Sequence, residues 1–288
     1  MGRISRVEVV ANLASGGVGK DAPQEIEKIF ADHGLQAHVC APPTHDLTSC
    51  LRAAVDAGPD LLVTLAGDGT ARAAAELCGP QGPMLAPLPG GTMNMLPRAL
   101  YGDRSWQDAL TLALAEGVER TIGGGEVEGR PFLVAAVMGS PALWGPAREA
   151  ARFREPMLAF ARARRALRRA FTGRLRYAID AGPREKAEAL VFVCPHASSA
   201  MADEEPALEA AAMDVRSAGD VFRLGVQALL GDWRDDPAVQ VRRCREARIW
   251  AARGIPALLD GELFRLHAAA EVTYRPAVVR ILAPPKDV

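Results

Sequence analysis

The residues best suited to chemistry in this chain sit in short glycine-rich runs. Ala66-Gly67-Asp68-Gly69-Thr70 follows the apolar stretch Leu61-Leu62-Val63-Thr64-Leu65, and Pro89-Gly90-Gly91-Thr92-Met93-Asn94 follows Met84-Leu85-Ala86-Pro87-Leu88. Glycine adopts positive φ cheaply and leaves room for close approach, so such a loop between strand and helix lets backbone N–H groups converge on phosphate. An aspartate there is unfavourable beside phosphate unless a divalent cation lies between them, or unless its carboxylate contacts something other than phosphate. Gly67-Asp68-Gly69-Thr70 thus hints at Mg2+-nucleotide, with Asp68 near the metal. The tetrapeptide alone also fits a tight Gly-Asp-Gly turn.

An earlier loop, Ala14-Ser15-Gly16-Gly17-Val18-Gly19-Lys20-Asp21, superficially resembles a Walker A run but has Ala14 for the leading glycine and Asp21 for the Mg2+-binding Ser or Thr. It also fits a relaxed dinucleotide fingerprint, yet the following strand ends in Cys40-Ala41-Pro42-Pro43 with no acid for a ribose. Both assignments fail on specifics. Lys20 can reach phosphate or simply be solvated, and Asn12 can form an Asx turn after its strand.

The elements that must position these loops follow from the apolar pattern. A strand at 7–12, a helix at 23–33, a strand at 36–40, a helix at 46–57, strands at 61–65 and 84–88 and a helix at 71–78 alternate as parallel strands with crossover helices do. Residues 106–116 form an amphipathic helix. Gly123-Gly124-Gly125 then reads as a hinge or turn, and the domain boundary is placed there: 1–122 as an α/β nucleotide-binding domain, 123–274 as a second domain. The second domain reads as mostly β, with strands at 130–137, 174–180, 189–194, 213–217, 239–248, 257–259, 264–268 and 271–274. Helical insertions are expected at 146–171 and 218–230.

The 288 residues, 49% of them hydrophobic, suffice for two cores, and a net charge of -1 removes any bulk-charge case for nucleic-acid binding. Cys40, Cys50, Cys78, Cys194 and Cys244 are scattered without a CxxC pair, so neither a zinc site nor a disulfide framework is signalled, and a reducing cytoplasm is expected. No apolar stretch reaches the roughly 18 residues of a spanning helix, and a soluble or peripheral protein is expected.

Taken together, Asn12-Leu13-Ala14-Ser15-Gly16, Ala66-Gly67-Asp68-Gly69-Thr70, Pro89-Gly90-Gly91-Thr92-Met93-Asn94 and Asp260-Gly261-Glu262 resemble, in order and spacing, the signature of the diacylglycerol kinase catalytic domain superfamily. That superfamily includes bacterial diacylglycerol kinases and sphingosine and ceramide kinases. The resemblance implies an α/β domain of the NAD kinase and phosphofructokinase kind, a C-terminal β-sandwich bearing the lipid site, and a segment 275–288 that returns to the first domain. It implies ATP and Mg2+ as cofactors. Asn12, Ser15, Gly16, Gly67, Asp68, Gly69, Thr70, Thr92, Asn94 and Glu262 would bind nucleotide, and Asp260 would be the general base that takes the lipid hydroxyl proton. Without the other motifs, Asp260-Gly261-Glu262 reads as a solvated β-turn.

The sequence departs from that family in four places. Ala73 stands where a glutamate is usual, with Glu76 one turn on, and Met95 replaces an aspartate common after Asn94. Gly139-Ser140-Pro141-Ala142 lacks the acid that faces the lipid site, which favours a neutral lipid, diacylglycerol or ceramide, over a sphingoid base. Ala210-Ala211-Ala212 occupies the region of an acidic loop that holds a structural Mg2+, so that ion is expected to be absent.

Within 156–176 a helical period puts Met157, Phe160, Ala163, Leu167, Ala170 and Phe171 on one face, with Arg164, Arg165, Arg168 and Arg169 beside or opposite it. Such a basic amphipathic helix suits an anionic membrane surface, and equally a helix packed on the sandwich with a solvated face. The partners expected are a membrane lipid substrate and the inner membrane surface, peripherally, with no nucleic acid; a homodimer is compatible. The competing readings are a soluble NAD kinase-like enzyme and a catalytically degenerate lipid-binding module.

Overall fold

The computed structural model of the chain describes residues 4–144, 174–198, 206–214, 234 and 236–285. The chain divides into two compact units, Met1–Gly123 with Pro276–Val288, and Gly124–Arg275.

The first unit alternates strands and helices: β1 (Val7–Ala11), α1 (Ala22–Asp32), β2 (Ala37–Cys40), α2 (Leu47–Asp56), β3 (Leu61–Ala66), α3 (Asp68–Cys78), β4 (Met84–Pro89), α4 (Met95–Tyr101) and α5 (Trp106–Glu116). The strands pair in parallel in the order β2-β1-β3-β4. Every residue of β1 and β3 is buried, as the near-continuous apolar runs of a parallel sheet covered on both faces require. On α1 the buried positions Ala22, Ile26 and Phe30 recur every four residues, one stripe of a helix. Helix α5 is capped by Ser105, whose Oγ accepts the Asp108 amide at 3.1 Å.

The last strand, β16 (Ala269–Ala283), brings its final residues back to this unit, where Ile281 lies beside Leu85 in parallel. Buried Tyr101 donates its hydroxyl to the Leu282 carbonyl at 2.9 Å, and Arg280 donates to the Gly82 carbonyl at 2.6 Å and to Glu119 at 2.6 Å.

The second unit is built from β6 (Arg130–Phe132), β7 (Ala135–Gly139), β8 (Leu175–Ile179), β9 (Glu185–Ala187), β10 (Ala189–Val193), β11 (Leu208–Met213), β12 (Val239–Cys244), β13 (Glu246–Trp250), β14 (Pro256–Leu259) and β15 (Glu262–Arg265), with the first part of β16. One antiparallel sheet runs β12-β11-β10-β7-β14-β15, and a second runs β16-β13-β8-β9. Met138, Leu190, Phe192 and Leu259 from the first share one core with Tyr177, Ile249 and Val272 from the second. This is the sandwich that the family resemblance implies, built from the strands of a domain whose pattern reads as mostly β.

Three local expectations are corrected. Gly123-Gly124-Gly125 is not a hinge or turn but lies inside β5 (Val118–Val127). Gly125 is the cross-strand partner of Phe132, and a Cβ there would stand 1.9 Å from the Phe132 ring, so the glycine serves packing rather than bending. The strand expected at 239–248 is two strands, because the Asp180 carboxylate accepts the amides of Arg245 and Glu246, each at 3.0 Å, and breaks the ladder there. The strand expected at 213–217 lies earlier, at Leu208–Met213, with Ala210-Ala211-Ala212 paired in mid-sheet; an alanine run carries no period-2 signal. The helices expected at 146–171 and 218–230, and with them Arg164, Arg165, Arg168 and Arg169, lie outside the described residues. Among the described residues no helix is long and apolar enough to cross a membrane.

Candidate active site

The three glycine loops of the first unit leave the ends of β1, β3 and β4 and meet backbone to backbone. The Asn12 amide donates to the Leu65 carbonyl at 2.9 Å, the Gly90 amide to the Ala66 carbonyl at 3.1 Å, and the Gly17 amide to the Gly90 carbonyl at 3.1 Å. A Cβ on Gly91 would stand 2.7 Å from the Gly67 Cα, and one on Gly90 would stand 2.7 Å from the Ala66 nitrogen. The glycines are therefore what allows the loops to approach this closely. Gly16, by contrast, has nothing within 4 Å of a built Cβ, so its place in the motif has no packing cause.

Asn12 spends its side chain locally: Oδ1 accepts the Ala14 amide at 3.1 Å, the Asx turn that was one reading of this residue. Ser15 is half-buried, and Gly16 and Thr92 are exposed. Helix α3 opens at Gly67 with no side-chain cap, and Thr70 returns its amide to the Gly67 carbonyl at 3.0 Å. A helix start without a side-chain acceptor suits an anion.

Asp68 resolves the electrostatic puzzle of its loop. Its Oδ1 accepts the Leu96 amide at 3.4 Å, and the amides of Asn94 and Met95 also bond to it, so the carboxylate caps α4. Burial pushes the Asp68 carboxyl up from its ordinary value, and these amides oppose the shift. Asn94 holds the same corner from the other side. It adopts φ +50°, accepts the Gly91 amide on Oδ1 at 2.8 Å and donates from Nδ2 to the Gly91 carbonyl at 3.1 Å. Asp68 and Asn94 thus bind the second and third loops into one rigid corner. Helix α4 escaped the sequence reading, although an Asn followed by Pro97 within the first helical turn is a start signal.

Asp260 and Glu262 belong to the other unit. Asp260-Gly261, with φ +46° and +86°, forms the two-residue turn that joins β14 to β15. The Asp260 side chain is buried rather than solvated: its carboxylate accepts the amides of Leu133 at 2.6 Å, Val134 at 2.8 Å and Ala135 at 2.9 Å. Those amides lie at the break between β6 and β7. Glu262, the first residue of β15, is half-buried.

Residues 6–127, which carry all three glycine loops, match the family model of the diacylglycerol kinase catalytic domain. This segment belongs to that family. The resemblance drawn from the motifs is thereby borne out, and the chain carries a kinase catalytic domain. No curated protein matches the sequence. Among solved structures, a diacylglycerol kinase from Bacillus anthracis aligns with a TM-score of 0.71 at 16% identity, covering 100% of both chains. An NAD kinase from Archaeoglobus fulgidus in complex with ATP aligns at 0.53 and 12% identity, covering 98% of this chain and 94% of that one. A yeast NADH kinase complexed with NADH aligns at 0.52 and 11%, covering 100% of this chain and 85% of that one. At these identities the likeness establishes a fold common to the diacylglycerol kinase and NAD kinase domains.

Two further polar groups of the second unit were invisible in the sequence. Glu188, 5% exposed, accepts the Ser140 hydroxyl, and Glu209, with no exposure, forms a two-pronged ion pair with Arg234 at 2.5 and 3.1 Å while accepting the Ser198 hydroxyl. Nothing in their sequence neighbourhoods announces them, because each pair is assembled from separate segments.

Proposed function

We propose that this protein is an ATP-dependent lipid kinase that transfers the γ-phosphate of ATP to the hydroxyl of a neutral membrane lipid, diacylglycerol or ceramide. The observation that carries the reading is the rigid corner of three glycine loops inside a diacylglycerol kinase catalytic domain. Asn12, Ser15, Gly16, Gly67, Gly69, Thr70, Thr92 and Asn94 would hold ATP, and Mg2+ bound with it would neutralise phosphate charge near Asp68. Phosphoryl transfer needs mainly positioning and neutralisation, which a preformed corner offers without reorganisation.

Asp260 is the carboxylate assigned to receive the hydroxyl proton, with Glu262 assigned to the nucleotide. Pro141, unable to supply a carboxylate, supports a neutral acceptor. The protein would work in the cytoplasm, peripherally on the inner face of the membrane, with Arg164, Arg165, Arg168 and Arg169 as its anionic-lipid contacts.

The test is transfer of label from radioactive ATP to a panel of extracted lipids, with NAD in a parallel reaction. Label in a neutral lipid is the expected result. Label in NAD alone would make the protein a soluble nucleotide kinase, and binding of ATP with no transfer to any acceptor would make it a degenerate binding module.

A further inference from the structure

Five scattered cysteines gave no sign of a pair, yet the fold brings the sulfurs of Cys40 and Cys50 into contact. Cys40 is the last residue of β2 and stands opposite Val10 in the parallel register, two residues before Asn12. Cys50 lies on α2, which packs on β1. A bond between them would tie the strand beside β1 to the helix upon β1 and close the connection 41–46, which leaves β2 from a register position beside the end of β1. Both cysteines are half-buried, whereas Cys78, Cys194 and Cys244 are buried. Burial pushes the Cys78 and Cys244 thiols up to about 12 and Cys194 well above its usual value, which leaves those three inert as thiolates.

The Cα atoms of Cys40 and Cys50 are 7.1 Å apart, just beyond the spacing at which a bridge closes without backbone movement. Free thiols fit this spacing by turning either side chain to another rotamer, whereas a bridge needs the two Cα atoms closer together, so forming the bond draws in the 41–46 connection.

We propose that Cys40 and Cys50 are a reversible dithiol–disulfide pair that sets the stiffness of the 41–46 connection and of the adjoining loop 12–20. Its consequence for ATP rests on the nucleotide reading of that loop. In the oxidising direction one cysteine thiolate attacks a small-molecule disulfide such as oxidised glutathione, breaking its S–S bond and releasing one thiolate. The second cysteine thiolate then displaces the other half from the mixed disulfide. The oxidant takes up two electrons, and the two protons shed by the cysteines end on the two released small thiols. Oxidised protein would present a stiffer nucleotide loop, and reduced protein a looser one.

The test is hydrogen–deuterium exchange on the full chain in three forms: oxidised with glutathione disulfide, reduced with dithiothreitol, and a Cys40→Ser/Cys50→Ser variant. Amides in 41–46 and 13–20 are expected to exchange roughly tenfold faster in the reduced form, and the variant should behave as reduced protein with or without oxidant. Alkylation before and after oxidation should show protection of Cys40 and Cys50. Equal exchange in oxidised and reduced protein, or cysteines still open to alkylation after oxidant, would overturn the proposal. Titration of an ATP analogue into the same samples keeps the two readings apart. Failure to bind in every form counts against the nucleotide site, while the exchange comparison still decides the cysteine pair.

Discussion

The Asp260 carboxylate accepts the Leu133 amide at 2.6 Å across 127 positions of sequence, and with Val134 and Ala135 it gathers three amides at a break between strands. Backbone amides that leave a ladder need acceptors, so the proposed proton acceptor is also a structural anchor. Asp260→Asn is therefore not neutral towards the fold, since its NH2 group would face one of those amides. We expect a loss of about 1–3 kcal/mol in stability from the unpaired amide, read by denaturant unfolding. We also expect kcat on the best lipid to fall by roughly 10² to 10⁴ in the molecules that remain folded, as loss of a general base requires. Lower stability with unchanged kcat per folded molecule would leave Asp260 as an anchor and place the base elsewhere.

Gly91→Ala puts a Cβ 2.7 Å from the Gly67 Cα and must part the second and third loops. ATP use should fall at least about tenfold, with a stability loss of about 1–3 kcal/mol from the forced backbone shift. Gly19 has open space at its Cβ, so Gly19→Ala should behave as wild type and shows that glycine content as such is not the cause. Calorimetric ATP binding and thermal unfolding of the two variants separate these outcomes. Equal ATP affinity in both would mean that loop contact does not shape the site.

Burial pushes the Glu188 carboxyl above its ordinary value, against the Ser140 hydrogen bond and the charge of Arg174. A carboxyl whose folded pKa exceeds its unfolded one weakens the fold once ionised. That cost is present in full above the raised value and fades as pH falls through it towards the unfolded value. Glu188→Gln keeps an acceptor for the Ser140 hydroxyl and removes the charge. The variant should be at least as stable as wild type near neutral pH, with wild type gaining on it as the medium is acidified. Urea unfolding over a pH series checks the sign, and a variant that gains on wild type in acid would contradict it.

Gly125→Ala would drive a Cβ to within 1.9 Å of the Phe132 ring, in the core of the second unit. A loss of about 2–3 kcal/mol is expected for an overpacked core that cannot relax cheaply. Adding Phe132→Leu should recover a good part of it, and a double-mutant cycle by chemical denaturation measures the coupling. Additive effects would mean that the glycine is held by backbone conformation rather than by the ring.

Much of the first unit was legible in the chain itself. The buried runs of β1 and β3, the α1 stripe of Ile26 and Phe30, the helix at 106–116 and the glycine loops are local patterns, set by side-chain periodicity and φ preference within a few residues. The alternatives left open at Asp68 and Asp260 were not legible, because each depended on a partner far along the chain. Asp68 meets the amides of α4, 28 residues on to Leu96, and Asp260 meets amides more than a hundred positions away. The same holds for Gly125 against Phe132, where a triple glycine looks like a hinge until its cross-strand neighbour is known, and for Cys40 against Cys50. Local sequence fixes which conformations a residue can adopt cheaply. Which buried donor or ring it then meets is decided by strand register and loop packing, since an amide or carboxylate withdrawn from water takes whatever partner the assembled fold brings within hydrogen-bonding distance.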